Sequence, residues 1–212
     1  MQGDETTSKR PYSGSRRIAA REANRARVVA AAGDVLRQEG WAGFSLEAVA
    51  RAAGVTRLTV YNQFGSRRAL LEALFDIRAI SGGFSAIPAA MGVDDPHEAL
   101  ARIAAIFAGF WSTAGGFMPG LVAEIAADSE FAESMRARNE RRRRLMTNLV
   151  GRMVARGDVA AECAPGLIDT LFALTSFPVY AELSAGRLTA EEVGQLLADL
   201  CAAAVARCRP EA

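Results

Sequence analysis

Between Gly54 and Gly65 the chain reads VTRLTVYNQF, a segment in which hydrogen-bonding side chains are set among a few apolar ones. Val60 and Phe64, four residues apart, mark one face of a helix. On a helix that begins near Thr56, Arg57, Leu58, Tyr61 and Asn62 fall away from that face. These side-chain types suit the major groove of duplex DNA. Arginine pairs with guanine, asparagine with adenine, and leucine can cover a thymine methyl. Hydroxyls at Ser45, Thr56 and Thr59 can bond phosphates, and Arg67 can add a backbone-directed charge beside the dipole of the next helix. The competing reading is an amphipathic helix with a solvated polar face. The alternation of cap, turn and cap across residues 45–66 argues against it.

The elements that must hold those residues are legible around them. A helix from about Arg21 to Gln38 presents Val28, Val29, Ala32, Val35 and Leu36 on one side, with Gly40 just past its end. Ser45 is placed to cap a second helix carrying Leu46, Val49, Ala50 and Ala53, which Gly54 interrupts. A third helix follows over about Thr56 to Gln63, and Ser66 can cap a fourth with Leu70, Leu71, Leu74 and Phe75 as its stripe. Two short helices joined by a tight glycine turn form a helix-turn-helix, whose buried first helix fixes the angle at which the second enters a groove about 12 Å wide. Residues 1–20 read as a flexible, partly basic tail, 21–66 as the DNA-binding domain, and 67–212 as a helical remainder with 67–80 as a connecting helix.

Composition sets the class. Half the chain is hydrophobic, aromatics are few and no run alternates with period two, which predicts an all-α fold. Residues 1–78 carry 13 basic against 8 acidic side chains, and residues 79–212 carry 12 against 16. A basic first third on an acidic remainder fits a nucleic-acid module joined to something else. No stretch reaches about 18 uncharged apolar residues and no apolar leader core is present, so the expectation is a cytoplasmic protein with no membrane partner. Cys163, Cys201 and Cys208 lack metal-ligand spacing and His97 is the sole histidine, so no metal or cofactor is expected and the thiols read as small, buried or half-buried groups in a reducing compartment. With no GxSxG and no phosphate-cradling glycine loop, an enzyme is not expected. A small helical enzyme, or a structural dimer with an unused helix-turn-helix, remains the rival class.

Beyond Gly82, Gly83 and Pro88, which mark a break, helices are predicted at about 96–113, 118–127, 129–156, 165–185 and 190–208. Asp95, Pro96 and Glu98 form a helix start, and Thr189 with Glu192 a capping box. The segment LIDTLFALTSFPVYAEL is apolar nearly all round, with a kink expected at Pro178. Leu171, Leu174, Val179 and Leu183, with Leu196, Leu200 and Val205 of the last helix, are candidates for a four-helix homodimer interface; the alternative is an internal helix of a monomer. Phe107, Phe110, Trp111, Phe117, Met118, Met135, Met146 and Phe172 each read singly as core. As a set they suggest a cavity for an apolar or aromatic molecule, with few convergent ionisable groups. Arg141–Arg144, in NERRRRLM, span a helical turn and read as a solvated face paired with acids such as Glu133 or Glu140.

The stretch FSLEAVARAAGVTRLTVYNQFGSRRALLEALF resembles the N-terminal domain of the TetR family of one-component transcriptional repressors. The likeness covers about residues 22–76, from Gly40–Trp41 through the turn Ala53–Thr56 and the VYNQF motif to GSRRALL. It implies phosphate contacts at Ser45, Thr56, Thr59 and Arg67, and base or mixed contacts at Arg57, Leu58, Tyr61 and Asn62. Gln63 stands where the family often has histidine, which implies a phosphate contact there, and Leu58 replaces a small or polar residue. The resemblance further implies a homodimer on a near-palindromic double-stranded DNA operator, with a C-terminal helical domain that holds the effector pocket and the dimer interface.

Overall fold

The computed structural model describes residues 12–210, and among these every regular element is helical. The chain divides into two compact units that part between Phe75 and Asp76. The first comprises α1 (Tyr12–Gly43), α2 (Leu46–Ala53), α3 (Arg57–Phe64) and the beginning of α4 (Arg67–Ser81). Helix α1 starts well before the expected Arg21, so residues 12–20 of the supposed tail are helical, while residues 1–11 lie outside the described part. Its regular turns stop at Gly40, whose φ of 67° is open to glycine alone at little cost. The chain then turns through Trp41–Gly43 into α2.

Capping sets the next boundaries. Ser45 Oγ accepts the Ala48 N–H at 3.1 Å and Thr56 Oγ1 accepts the Thr59 N–H at 3.1 Å, each satisfying a donor that a helix start leaves open. Between them Gly54, at φ 65°, ends α2 in the left-handed region with its N–H directed to the Ala50 and Arg51 carbonyls. Ser66 caps α4 through the Ala69 N–H at 3.0 Å. Val28, Ala32 and Val35 of α1, Val49 of α2, Val60 of α3 and Leu70, Leu71 and Leu74 of α4 form the core under this turn.

The second unit holds the end of α4, a 3-10 turn at Phe84–Ala86, α5 (Ile87–Met91), α6 (Pro96–Ala114), α7 (Met118–Ala127), α8 (Ser129–Arg156), a 3-10 turn at Ala161–Cys163, α9 (Ala164–Leu174), α10 (Phe177–Ser184) and α11 (Ala190–Ala206). Helix α6 packs along α11, and α8 along α9, α6 and α7. No single helix among the described residues is long and apolar enough to cross a membrane. The capping box of α11 forms as expected, Thr189 with Glu192. At α6, Asp95 Oδ1 accepts the His97 N–H, but Glu98 reaches Arg102 at 2.6 Å.

Two departures from the sequence reading have local causes. Helix α5 occupies the expected break, with Pro88 in its first turn, where a missing N–H costs nothing. The long helix expected over 165–185 is two helices, because Ser176 is extended (ψ 156°) and Pro178 begins α10. A proline ring meets the carbonyl four residues back, here Leu174, so the chain breaks rather than bends.

Candidate nucleic-acid interface

Helix α3 is held by its apolar side and displays the other. Val60 is fully buried and Phe64 nearly so, whereas Leu58 is 66% and Tyr61 54% exposed, with Arg57 and Asn62 beside them. Large apolar side chains left in water on a short helix are unusual unless something covers them. Arg57 Nε meets Glu47 Oε1 of α2 at 2.6 Å, both exposed. Such a pair contributes about 0–1 kcal/mol and exchanges readily for a stronger partner.

The hydroxyls are partly engaged. Ser45 Oγ accepts a backbone N–H and keeps its own proton to donate. Thr56 Oγ1 and Thr59 Oγ1 lie 2.9 Å apart, so one proton of the two bridges them and the other stays available. Two expected phosphate contacts are half-buried. Arg67 Nε donates to the Phe44 carbonyl at 3.2 Å and its guanidinium lies 5.2 Å from the Phe44 ring, so it braces α4 against the turn before α2. Gln63 has a buried Oε1.

The sequence reading missed Arg25. Its Nη1 donates to the Gln63 carbonyl at 3.2 Å, and its guanidinium stands 4.3 Å over the Phe64 ring, at the end of α3. Arg21 and Arg17 follow at four-residue steps on the same side of α1, both exposed and without an ion pair among the described residues. The i, i+4 spacing of the three arginines was the available signal.

In the second unit Phe107, Phe110 and Trp111 of the candidate pocket residues pack ring against ring. Phe107, Phe110, Trp111, Phe117, Met118, Met135 and Met146 are buried, and only Phe172 is half-exposed. Phe110 and Trp111 lie 4.5 Å apart, Phe84 sits 4.6 Å from Phe110, and Phe177 lies 5.6 Å from Trp111. An ionisable group does converge on them. Arg142, expected on a solvated face, is 8% exposed, with its guanidinium 4.0 Å from the Phe172 ring. It donates through Nη1 to the Phe172 carbonyl at 2.9 Å and to Thr175 Oγ1 at 3.3 Å, while Trp111 Nε1 donates to the Thr175 carbonyl at 3.0 Å. These donors answer carbonyls freed where α9 stops. Burial, then Arg143, pushes the Arg142 pKa down from the ordinary arginine range to about 10. Arg143 pairs with Asp169, and Arg141 and Arg144 are exposed.

Of the candidate interface residues, Leu171 and Val205 are buried within the single chain. Leu174, Val179, Leu183 and Leu196 are half-buried, and Leu200 is 37% exposed.

A capped, glycine-jointed helix pair with a polar-faced second helix, ahead of a separate helical unit, defines a helix-turn-helix architecture. Residues 28–74 match the family described as "Bacterial regulatory proteins, tetR family". That match lies within the first compact unit. A 62-residue stretch is 40% identical to the HTH-type transcriptional regulator AlkX of Mycobacterium tuberculosis, spanning 29% of this chain and 28% of that protein. The fold as a whole is similar to a TetR/AcrR-family transcriptional regulator from Thermobifida fusca (24% identity, TM-score 0.65, 84% of this chain and 96% of that one). It is also similar to a transcriptional regulator from Rhodococcus (16%, TM-score 0.67, 89% and 99%).

Proposed function

We propose that this protein is a homodimeric, cytoplasmic transcriptional repressor that leaves a near-palindromic operator when a small apolar or aromatic effector binds its C-terminal unit. The observation that carries the reading is α3, which keeps Arg57, Leu58, Tyr61 and Asn62 in water while Val60 and Phe64 are fixed beneath. Titrating a labelled duplex from upstream of the protein's own gene against a scrambled duplex, at one salt concentration, tests it. A preference on the order of 10³-fold or more is expected, and equal affinities would overturn the proposal.

The apolar face left by Leu174, Val179, Leu183, Leu196 and Leu200 supports the dimer. Leu200→Glu is expected to shift sedimentation from dimer to monomer and to weaken operator binding, because two half-sites one helical turn apart need two linked domains. Phe172, at the edge of the buried aromatic cluster, supports an effector of matching chemistry. The effector can release DNA only by as much as it binds one conformation better than the other.

Arg17 and Arg21 extend the basic surface beyond the end of α3, and we assign them to phosphates flanking the half-site. The double variant Arg17→Ala, Arg21→Ala is expected to weaken all duplexes alike and to flatten the log K against log[salt] slope by about 1–2 units.

A further inference from the structure

The three cysteines are not equivalent, although nothing in their spacing separates them. Cys201 is buried in α11, and burial raises its thiol pKa to about 11. Cys163 and Cys208, far apart in sequence, are both half-exposed and line one open groove of about 660 Å³ between α9 and α11, beside Leu167, Leu174, Leu200 and Ala203. One residue gathers them. The Ala160 N–H donates to the Cys208 carbonyl at 2.8 Å, and the Ala160 carbonyl accepts the Cys163 N–H at 3.0 Å. Glu162 and Arg207 line the same end of the groove, so a small polar oxidant meets polar groups there rather than the leucines.

We propose that Cys163 and Cys208 are an oxidisable pair that closes into an intramolecular disulfide, locking the end of α11 to the start of α9, with hydrogen peroxide as the oxidant. Burial, and Cys163 alongside, raise the Cys208 thiol pKa; in the proposed order Cys163 gives up its proton to water and attacks first. Its thiolate takes one peroxide oxygen as the O–O bond breaks, and the departing hydroxide picks up a proton to become water, leaving a sulfenic acid on Cys163. The Cys208 sulfur then attacks the Cys163 sulfur, the S–O bond breaks, and the hydroxyl leaves as water with the Cys208 proton. Two thiols and one peroxide yield one disulfide and two waters. A dithiol reverses the step by exchange.

The bond would enclose α9, α10 and α11, and removing that much freedom from the unfolded chain raises thermal stability. The test takes the full-length protein, reduced and then exposed to hydrogen peroxide. Intact mass is expected to fall by two hydrogens per chain, and peptide mapping to recover a Cys163–Cys208 link with Cys201 free to alkylate. The melting temperature is expected to rise by several degrees and return on adding a dithiol. Cys163→Ser and Cys208→Ser should each abolish the mass loss and the shift, while Cys201→Ser keeps both. Circular dichroism of the reduced variants confirms that they fold. Three alkylatable thiols after peroxide, a link that includes Cys201, or chains cross-linked to each other would each overturn the proposal. Leu174 and Leu200 line this groove and belong to the proposed dimer face as well; the mass and alkylation readouts test the disulfide alone, while sedimentation and operator titration test the dimer and the DNA reading.

Discussion

Replacing Arg142 by alanine is expected to destabilise the C-terminal unit by about 3 kcal/mol, read as a lower denaturant midpoint at unchanged slope. Three losses combine. The Phe172 carbonyl and Thr175 Oγ1 lose donors at the point where α9 stops, and hydrogen bonds from a charged group are worth about 1.5–3 kcal/mol. The Phe172 ring loses the guanidinium plane stacked 4.0 Å from it. The long aliphatic stem leaves a void beside Phe107. Against these stands the burden of the charge, since Nε is buried without a hydrogen-bond partner. The folded pKa of about 10 lies below the ordinary arginine value, so the unfolded chain binds the proton more tightly and the folded state carries the full penalty below about pH 10. Stability from this group therefore rises as pH climbs above about 10. Arg142→Met separates the terms: it fills the void and removes the charge while leaving the Phe172 carbonyl and Thr175 Oγ1 without the donor. It is expected to cost less than half of the alanine loss. Equal losses in the two variants would place the whole effect in the hydrogen bonds.

Arg142 also shows what kind of information the sequence withheld. Four adjacent arginines look alike to composition, and solvation is the usual fate of such a run. Phe131, Met135, Met146, Leu149 and Met153 nonetheless trace the buried stripe of α8, and position 142, seven residues after Met135 and four before Met146, falls on it. That periodicity was readable. The need for a donor there was not, because it arises from the α9 break thirty residues later. The bounds of α2 and α3 were legible because glycine and hydroxyl caps act within one turn, at Ser45, Gly54 and Thr56. Arg25 beneath Gln63, and Cys163 beside Cys208, are pairings set by packing between distant helices. Local patterns carry no term for them. The Arg67–Phe44 contact is of the same kind, since Phe44 belongs to the preceding turn of the fold rather than to the helix of Arg67.

Asn62→Ala and Arg57→Ala are both expected to weaken operator binding by about 1–3 kcal/mol, yet they should differ on random DNA. Asn62 is uncharged and exposed on α3, so its loss removes a base contact and leaves phosphate attraction intact. Affinity for a scrambled duplex and the salt slope should therefore hold. Arg57 carries a charge now held by Glu47 at 2.6 Å. A bidentate contact to guanine, worth about 1–3 kcal/mol, outweighs the 0–1 kcal/mol of that exposed pair, so the guanidinium transfers to DNA on docking. Arg57→Ala should then weaken both duplexes and flatten the salt slope by about one unit. Glu47→Gln completes the cycle. It frees Arg57 beforehand and removes a negative charge near the phosphates, so both duplexes should bind more tightly in low salt, the difference fading as salt screens it. The informative comparison is Asn62→Ala on the two duplexes at one ionic strength. Equal weakening would mean that the exposed side of α3 rests on phosphates, and base recognition would then have to come from another part of the chain.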